Sequence, residues 1–473
     1  MFSSLLVVGL WLIGWCAGQS NEIYHQFLKA KRPPVKALVR TPAPAAAANS
    51  VPRKGAAKPW LQADADKVLF RNTDEFYADV KLSEQQRLAV AQHRAAADRL
   101  RRQRRSPALQ RALDAYAVRH HAALSSAEQW LRPDFRFVVW RCAAASTPIG
   151  EQMESMVSAF LLALLTDRVF LAYGPIVPFF DSPFATGHSL EHQVFYTRAD
   201  SPDVLETKLY PLTARAELPR FACGDLRNVT HKVWRLSGQF FFALLLARNV
   251  HFQSTLLQWF PPSGNSSSSS GGVAENMFAP LADFLFAVPS REISKRVRVF
   301  EEHYFGNVGS TIGMHLRLPR TAEPDDVDVE DLAQRVARCV DVAVMPALRK
   351  LRLKPIFFVA SAYFDAKTLM SKAFAKDAIV AFNEHGGQAL DKTNATALLE
   401  AALVEWHLLS RTHDMVISFA TPFARTAAAV ASVAPIVVDH QSLSCARLNT
   451  TDLALIASEE WWMQPGNVAC PQS

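Results

Sequence analysis

Glycine is scarce, 18 of 473 residues, and no GxGxxG or Walker-type phosphate loop occurs. A collagen-like chain is excluded. Hydride transfer on a dinucleotide fingerprint and ATP hydrolysis lose their usual signatures. HExxH and GxSxG are also missing, and no DxD-type pair stands at a strand end. Metalloprotease chemistry therefore has no support. Cysteine is sparse at 6 residues, with no CxxC and no Cys/His cluster at zinc spacing. Cys16 lies in an apolar run. The other five (Cys142, Cys223, Cys339, Cys445 and Cys470) are an odd number. They form at most two intradomain disulfides and leave one thiol.

Charge is moderate, 20% of residues, which excludes a wholly disordered chain. It is unevenly placed. Residues 1–133 hold 21 Lys+Arg against 10 Asp+Glu, and the other 340 residues hold 30 against 34. The basic character thus belongs to the N-terminal part, and a nucleic-acid partner is not expected for the body. With 49% hydrophobic residues the chain can build a large core, and its length predicts two or three domains.

Phe2–Ala17 (FSSLLVVGLWLIGWCA) is an apolar run that contains no charge. It is expected to be a secretory signal, cleaved after Ala17-Gly18 or retained as an anchor. No cation precedes it, and Lys29, Lys31 and Arg32 follow it, a pattern that does not favour an N-in anchor. Lys31–Pro59 is a Pro/Ala/Lys-rich stem. The layout predicts a luminal or extracellular domain held off a membrane, or a secreted one if the signal is removed. Asn228, Asn265, Asn394 and Asn449 are glycosylation candidates consistent with that route.

Ser83–Trp130 reads as two helices, with Ser83 and Gln86 in a capping box. The arginine run Arg99–Arg105 is a membrane-surface or polyanion patch, a solvated helix face, or, as RRQRRS, a processing site. Phe135–Trp140 predicts a buried strand, Glu151–Arg168 a helix and Val169–Tyr173 a parallel strand, a βαβ unit. Gln239–Val250 predicts a core helix, and Ser263–Gly272 a surface loop. The alternation then restarts. Strands are expected at Thr311–Leu316, Pro355–Ser361, Ala378–Phe382, Met415–Ser418 and Pro435–Val438. Helices are expected at Asp325–Leu351, Ala366–Phe374, Asn394–Ser410 and Thr421–Val433. Two Rossmann-like domains in series place a cleft at their carboxyl strand edges.

Two features of the second domain carry chemistry. Ile312–Arg317 (IGMHLR) places Arg317 at a strand exit with His315 on the same side. An Arg there offers a bidentate fork for phosphate, or is a structural ion-pair partner. Asp414–Phe423 (DMVISFATPF) runs into an Ala-rich helix, with Thr421 as N-cap and Pro422 at the first position. Such an N-terminus is an anion site, or simply a well-capped helix.

These blocks resemble the plant xyloglucan fucosyltransferase family of inverting GDP-fucose enzymes. FRFVVW, IGEQMESMVSAFLLALLTDRVFLA and FFDSPF follow its opening strand, helix and turn. QFFFALLLARNVHFQ, ENMFAPLADFLF, IGMHLR, ALLEAALVEWHLLSRTHDMVISFATPFARTAAAV, Cys445–Arg447 and the Trp461/Trp462 region continue it in order. The resemblance covers about residues 85–470 and marks a divergent member.

It implies a GT-B fold, two Rossmann-like parallel-sheet domains facing a cleft. The expected division is 1–18 signal or anchor, 19–65 stem, 66–300 acceptor-side α/β domain including basic helices 83–130, and 301–473 GDP-sugar-binding α/β domain. It implies GDP-fucose as donor, a glycan acceptor such as terminal galactose in an α1,2-type linkage, inversion and no metal. Arg317 matches the family residue at the donor pyrophosphate. His315 stands where many plant members have Gln and protein O- and α1,6-fucosyltransferases have His. Ser418, Thr421 and Phe423 match the segment around the phosphates and ribose, and Glu405 an acidic donor-site residue. GDP leaves as a dianion, so an Arg and a helix start can stabilise it without a metal. Glu151 and Asp181 are the carboxylates available as catalytic base. The family's Gly-Leu-Gly-Asn turn is here Pro148-Ile149-Gly150-Glu151, and its Trp-Ser-Thr-Phe-Gly is Ala420-Thr421-Pro422-Phe423-Ala424. A non-catalytic glycan-binding relative and a protein O-fucosyltransferase are the rival readings.

Overall fold

The computed structural model describes residues 104–125, 132–142, 147–184, 201–210, 217–261, 277–305, 310–317, 329–350, 355–361, 364–373, 379–381, 395–418, 421–438 and 445–448. All of them fall in one compact unit. The signal and stem, most of the first basic helix, the sequons Asn265, Asn394 and Asn449, Cys470 and Trp461/Trp462 lie outside the described residues.

The first sheet holds β1 (Phe137–Cys142), β2 (Val169–Tyr173), β3 (Val204–Leu209) and β4 (Val233–Gly238), all parallel, in the order β2-β1-β4-β3. The second holds β5 (Ser310–His315), β6 (Pro355–Ala360), β7 (Ile379–Ala381), β8 (Asp414–Ile417), β9 (Ile436–Val438) and β10 (Cys445–Arg447), in the order β10-β9-β8-β5-β6-β7. Only β10 runs antiparallel. Eight helices matter here: α1 (Pro107–Leu124), α2 (Ile149–Leu165), α3 (Phe278–Leu285), α4 (Arg291–Phe300), α5 (Val329–Cys339), α6 (Phe364–Ala373), α7 (Ala395–Leu409) and α8 (Pro422–Ala431).

The helix α2 is buried on nearly every side. An all-round apolar helix needs such an environment. It packs on β1, β2 and β4 and on α3 and α8. One hydrophobic core therefore runs from Trp140, Phe170 and Trp234 of the first sheet to Phe358, Met415 and Ile417 of the second. Its indole N–H groups are satisfied. Trp140 donates to Ser155 Oγ at 3.1 Å, Trp234 to Thr207 Oγ1 at 3.1 Å and Trp406 to Thr426 Oγ1 at 3.0 Å.

Expected and observed elements agree to within a few residues, with exceptions. Gln239–Val250 is not one helix. Only Ala243–Arg248 is helical, because Phe240, Phe241 and Phe242 turn into the core after β4. The strands β3 and β4 lie in the stretch read without strands. The helix expected over Asp325–Leu351 includes a π-helical turn at Val340–Val344. The end of the arginine run is used in packing. Arg104 Nη1 donates to Val430 O at 2.6 Å, closing the last turn of α8, and Arg105 lies 5.6 Å from the Phe284 ring centre. A disulfide joins Cys339, at the end of α5, to Cys445 on β10, and Cys223 is also disulfide-bonded.

Candidate functional site

The strand order of the second sheet reverses beside β5, which has β6 on one side and β8 on the other. Ligands of open α/β sheets bind outside the carboxyl ends at such a reversal. His315 ends β5 and Arg317 follows two residues on; Ser418 follows β8 directly. The Ser418 N–H donates to His315 O at 2.9 Å. Its hydroxyl accepts from the Arg317 N–H at 2.7 Å and donates to Arg317 O at 3.0 Å. On the other flank Ser361 Oγ donates to Leu316 O at 2.9 Å. The backbone carrying Arg317 is thus held from both neighbouring strands. Its guanidinium, half-buried, makes no hydrogen bond or ion pair among the described residues. The reading of Arg317 as a structural ion-pair partner finds no partner there.

The His315 ring is buried and stacks on Phe423, with ring centres 5.2 Å apart and planes 27° apart. Burial, and secondarily the Arg317 charge, lower its pKa to about 3, so it is neutral at physiological pH. Its Nδ1 is buried and has no hydrogen-bond partner among the described residues.

Thr421 caps α8, its hydroxyl accepting from the Ala424 N–H at 3.2 Å, and Pro422 opens the helix. The expected anion site is reduced by this arrangement. Pro422 has no N–H and that of Ala424 is capped, so Phe423 alone presents one in the first three positions. Gly150 of α2 lies against this helix start. A Cβ added there would stand 2.2 Å from Pro422 C and 2.3 Å from Phe423 N. Only glycine permits that approach.

Behind this contact, Arg425 of α8 grips Glu154 of α2 through Nε–Oε1 at 2.5 Å and Nη2–Oε2 at 2.6 Å. The pair is buried. The sequence reading missed it, although Glu154 is an acid among apolar neighbours in α2 and Arg425 the sole base of an Ala-rich helix.

His315, Arg317, Ser418, Thr421 and Phe423 come together. Glu405 stands next to them with its carboxylate already engaged. It pairs with Lys367 of α6 and receives the Ser361 backbone N–H. Burial raises its pKa, and Lys367 opposes that shift. Glu151, half-buried in the first turn of α2, follows Gly150 and is therefore close to the start of α8. Asp181 lies on a segment pinned elsewhere, its N–H donating to Val288 O at 2.8 Å. No described contact joins it to Arg317. Asn228 is exposed as the last residue of a 3-10 turn. No group of three or more His, Cys, Asp or Glu able to hold a metal ion occurs among the described residues.

The family model for xyloglucan fucosyltransferase matches residues 101–190. The curated Arabidopsis thaliana protein named "Probable fucosyltransferase 5" is 22% identical over 340 residues, 61% of this chain and 59% of its own length. The chain thus spans less than two thirds of that relative. A solved structure of an Arabidopsis thaliana FUT1 mutant in complex with GDP matches with a TM-score of 0.55 at 18% identity, over 74% of this chain and 84% of that one. The fucosyltransferase NodZ from Bradyrhizobium matches with a TM-score of 0.42 at 14% identity, over 66% of this chain and 98% of its own. The chain resembles the xyloglucan fucosyltransferase family, as a divergent relative, and shares the two-sheet α/β fold of FUT1.

Proposed function

We propose that this chain is a glycosyltransferase that moves fucose from GDP-fucose to a sugar hydroxyl of a glycan, with inversion and without a metal. The observation that carries the reading is the Arg317 guanidinium. It is fixed at the backbone by Ser418, stands at the reversal of the second sheet, and meets no carboxylate among the described residues. A cation so placed suits the pyrophosphate of a nucleoside diphosphate sugar. That the FUT1 structure is a complex with GDP supports a nucleotide-sugar donor.

In this reading His315 and Phe423 form a neutral stacked wall beside the phosphates, and Thr421 and Ser418 fix the loop between strand and helix. Charge grows on the leaving diphosphate as the fucosyl bond breaks, and Arg317 strengthens its contact at that moment. Glu405 acts through Lys367 and Ser361, holding β6 and the Leu316 carbonyl rather than touching the donor. Glu151 is the favoured base of the two carboxylates, because Gly150 places it beside the start of α8. The compartment we propose is the Golgi lumen or a secreted location. The Cys339–Cys445 disulfide and the exposed Asn228 sequon support an oxidising route.

The test is release of GDP from GDP-fucose with a panel of glycan acceptors, in excess EDTA. Transfer that persists supports the reading. Loss in EDTA restored by Mn²⁺ removes metal independence. GDP binding without turnover on any acceptor leaves the non-catalytic glycan-binding relative.

A further inference from the structure

The first sheet has its own reversal, between β1 and β4, in the order β2-β1-β4-β3. By the rule that places the donor beside β5, a second ligand crevice belongs at the carboxyl ends of β1 and β4. Arg141 and Ser237 face each other there, and Arg235 lies opposite Val139 two residues back. Alternation along the strands puts Arg141, Arg235 and Ser237 on one face, opposite the face of Trp140 and Leu236 that packs in the core with α2. The Tyr210 hydroxyl donates to Ser237 Oγ at 3.3 Å, at the same end.

Arg235 is 4% exposed, yet its Nε and Nη2 have no hydrogen-bond partner among the described residues. Glu206 is its cross-strand neighbour on β3, but no ion pair joins them among the described residues. Glu206 instead lies 4.0 Å from Lys208. Burial lowers the pKa of Arg235, the nearby Arg141 lowers it further, and Glu206 opposes both. Two guanidiniums on adjacent strands repel, and buried donors left unmet destabilise the site. An anion at Arg235 meets its open donors and screens the repulsion from Arg141.

We infer that the β1/β4 crevice is an anion subsite in which Arg235 and Arg141 hold a carboxylate of the acceptor, so that the acceptor is an acidic, uronic-acid-bearing glycan. This deepens the proposed fucosyl transfer and rests on it. The donor phosphates occupy the other sheet, which leaves the acceptor as the source of a second anion. A guanidinium fork also fits inorganic phosphate, so the test separates the two sources.

The full chain is titrated with methyl glucuronide, methyl galactoside and inorganic phosphate, followed by calorimetry and ligand-observed NMR. The titrations are repeated with Arg235→Gln and Arg141→Gln, each checked by melting temperature. The uronide is expected to bind the wild type at least about tenfold more tightly than the neutral sugar. Each folded variant is expected to lose about tenfold to a hundredfold in uronide affinity, the range of a charge-assisted hydrogen bond. GDP affinity, measured on the same samples, should follow Arg317 and not these two residues. None of these readouts needs turnover. Absent GDP binding with intact uronide binding therefore sinks the proposed transfer reaction, and with it the assignment of this anion to an acceptor. Equal binding of both sugars, phosphate bound in preference to uronide, or folded variants with wild-type uronide affinity each overturn the inference. If Arg235→Gln does not fold, Arg141→Gln and the wild-type comparison decide.

Discussion

Changing Glu154 to Gln removes one charge and almost no volume, at the point where helices following the two sheets meet. The wild-type pair is bidentate, at 2.5 Å and 2.6 Å, with side-chain exposures of 9% for Arg425 and 0% for Glu154. Glutamine keeps a carbonyl for one of the two contacts and turns an NH₂ toward the other. It leaves Arg425 charged in a site without water. Breaking a buried pair from one side costs about 3–5 kcal/mol. The pair itself is worth far less, because both charges were desolvated to form it. The double variant Glu154→Leu/Arg425→Met should therefore recover most of the loss. Urea unfolding of wild type, Glu154→Leu, Arg425→Met and the double gives the coupling energy directly, with Glu154→Gln measured beside them. A folded single variant that loses under about 1 kcal/mol, the scale of an ordinary hydrogen bond, would refute the reasoning. So would a double variant as unstable as the sum of the singles. The pair also sets where α8 begins, since Thr421 and Phe423 lie one turn before Arg425. The double variant should thus regain stability without regaining full GDP affinity.

Arg317→Ala should cut turnover by about a hundredfold to a thousandfold, as loss of an oxyanion donor does, with the melting temperature unchanged; near-normal turnover in a folded variant removes Arg317 from the site. His315 has a folded pKa of about 3, below its ordinary 6.5. The folded state therefore holds fewer protons between these values. Its contribution to stability is complete above pH 6.5 and falls on acidification toward pH 3, by up to about 1.4 kcal/mol per pH unit. Denaturant unfolding of wild type and His315→Asn across that range should show the acid limb flattened in the variant. Gly150→Ala forces a methyl into the backbone of Pro422 and Phe423, and should weaken GDP binding as well as lower the melting temperature, since neither contact atom can swing aside; unchanged values for both would contradict the close approach. Reducing the Cys339–Cys445 bond, whose partners are 106 residues apart, should cost about 2–5 kcal/mol, read from melting with and without dithiothreitol.

The second sheet was readable in the sequence because its strands are short apolar runs separated by amphipathic helices. Pro355–Ala360 (PIFFVA) cannot be anything but a covered strand. The first sheet was half legible. The strand β1 and helix α2 stand out, whereas β3 (VLETKL) and β4 (VWRLSG) do not. The reason is physical. Glu206, Lys208 and Arg235 lie on a strand face that the body of α2 does not cover, and a charge in the middle of a run erases the parallel-strand signature. The same residues that hid these strands build the proposed anion subsite.

The proposed donor site was legible for a related reason. His315, Arg317, Ser418 and Thr421 sit where strands stop, and a polar residue at a strand end is visible against the apolar run before it. What the sequence did not reveal is what each of those residues is spared from doing. Among the described residues the Arg317 guanidinium meets no counter-charge, and the buried acids Glu405 and Glu154 are engaged by Lys367 and Arg425. Both acids are held by bases 38 and 271 residues away. Such separations carry no local pattern, so only the folded chain shows these two buried ion pairs. In the proposed reading that division of charge, rather than any single motif, marks Arg317 as a phosphate ligand and not a strand end that merely carries arginine.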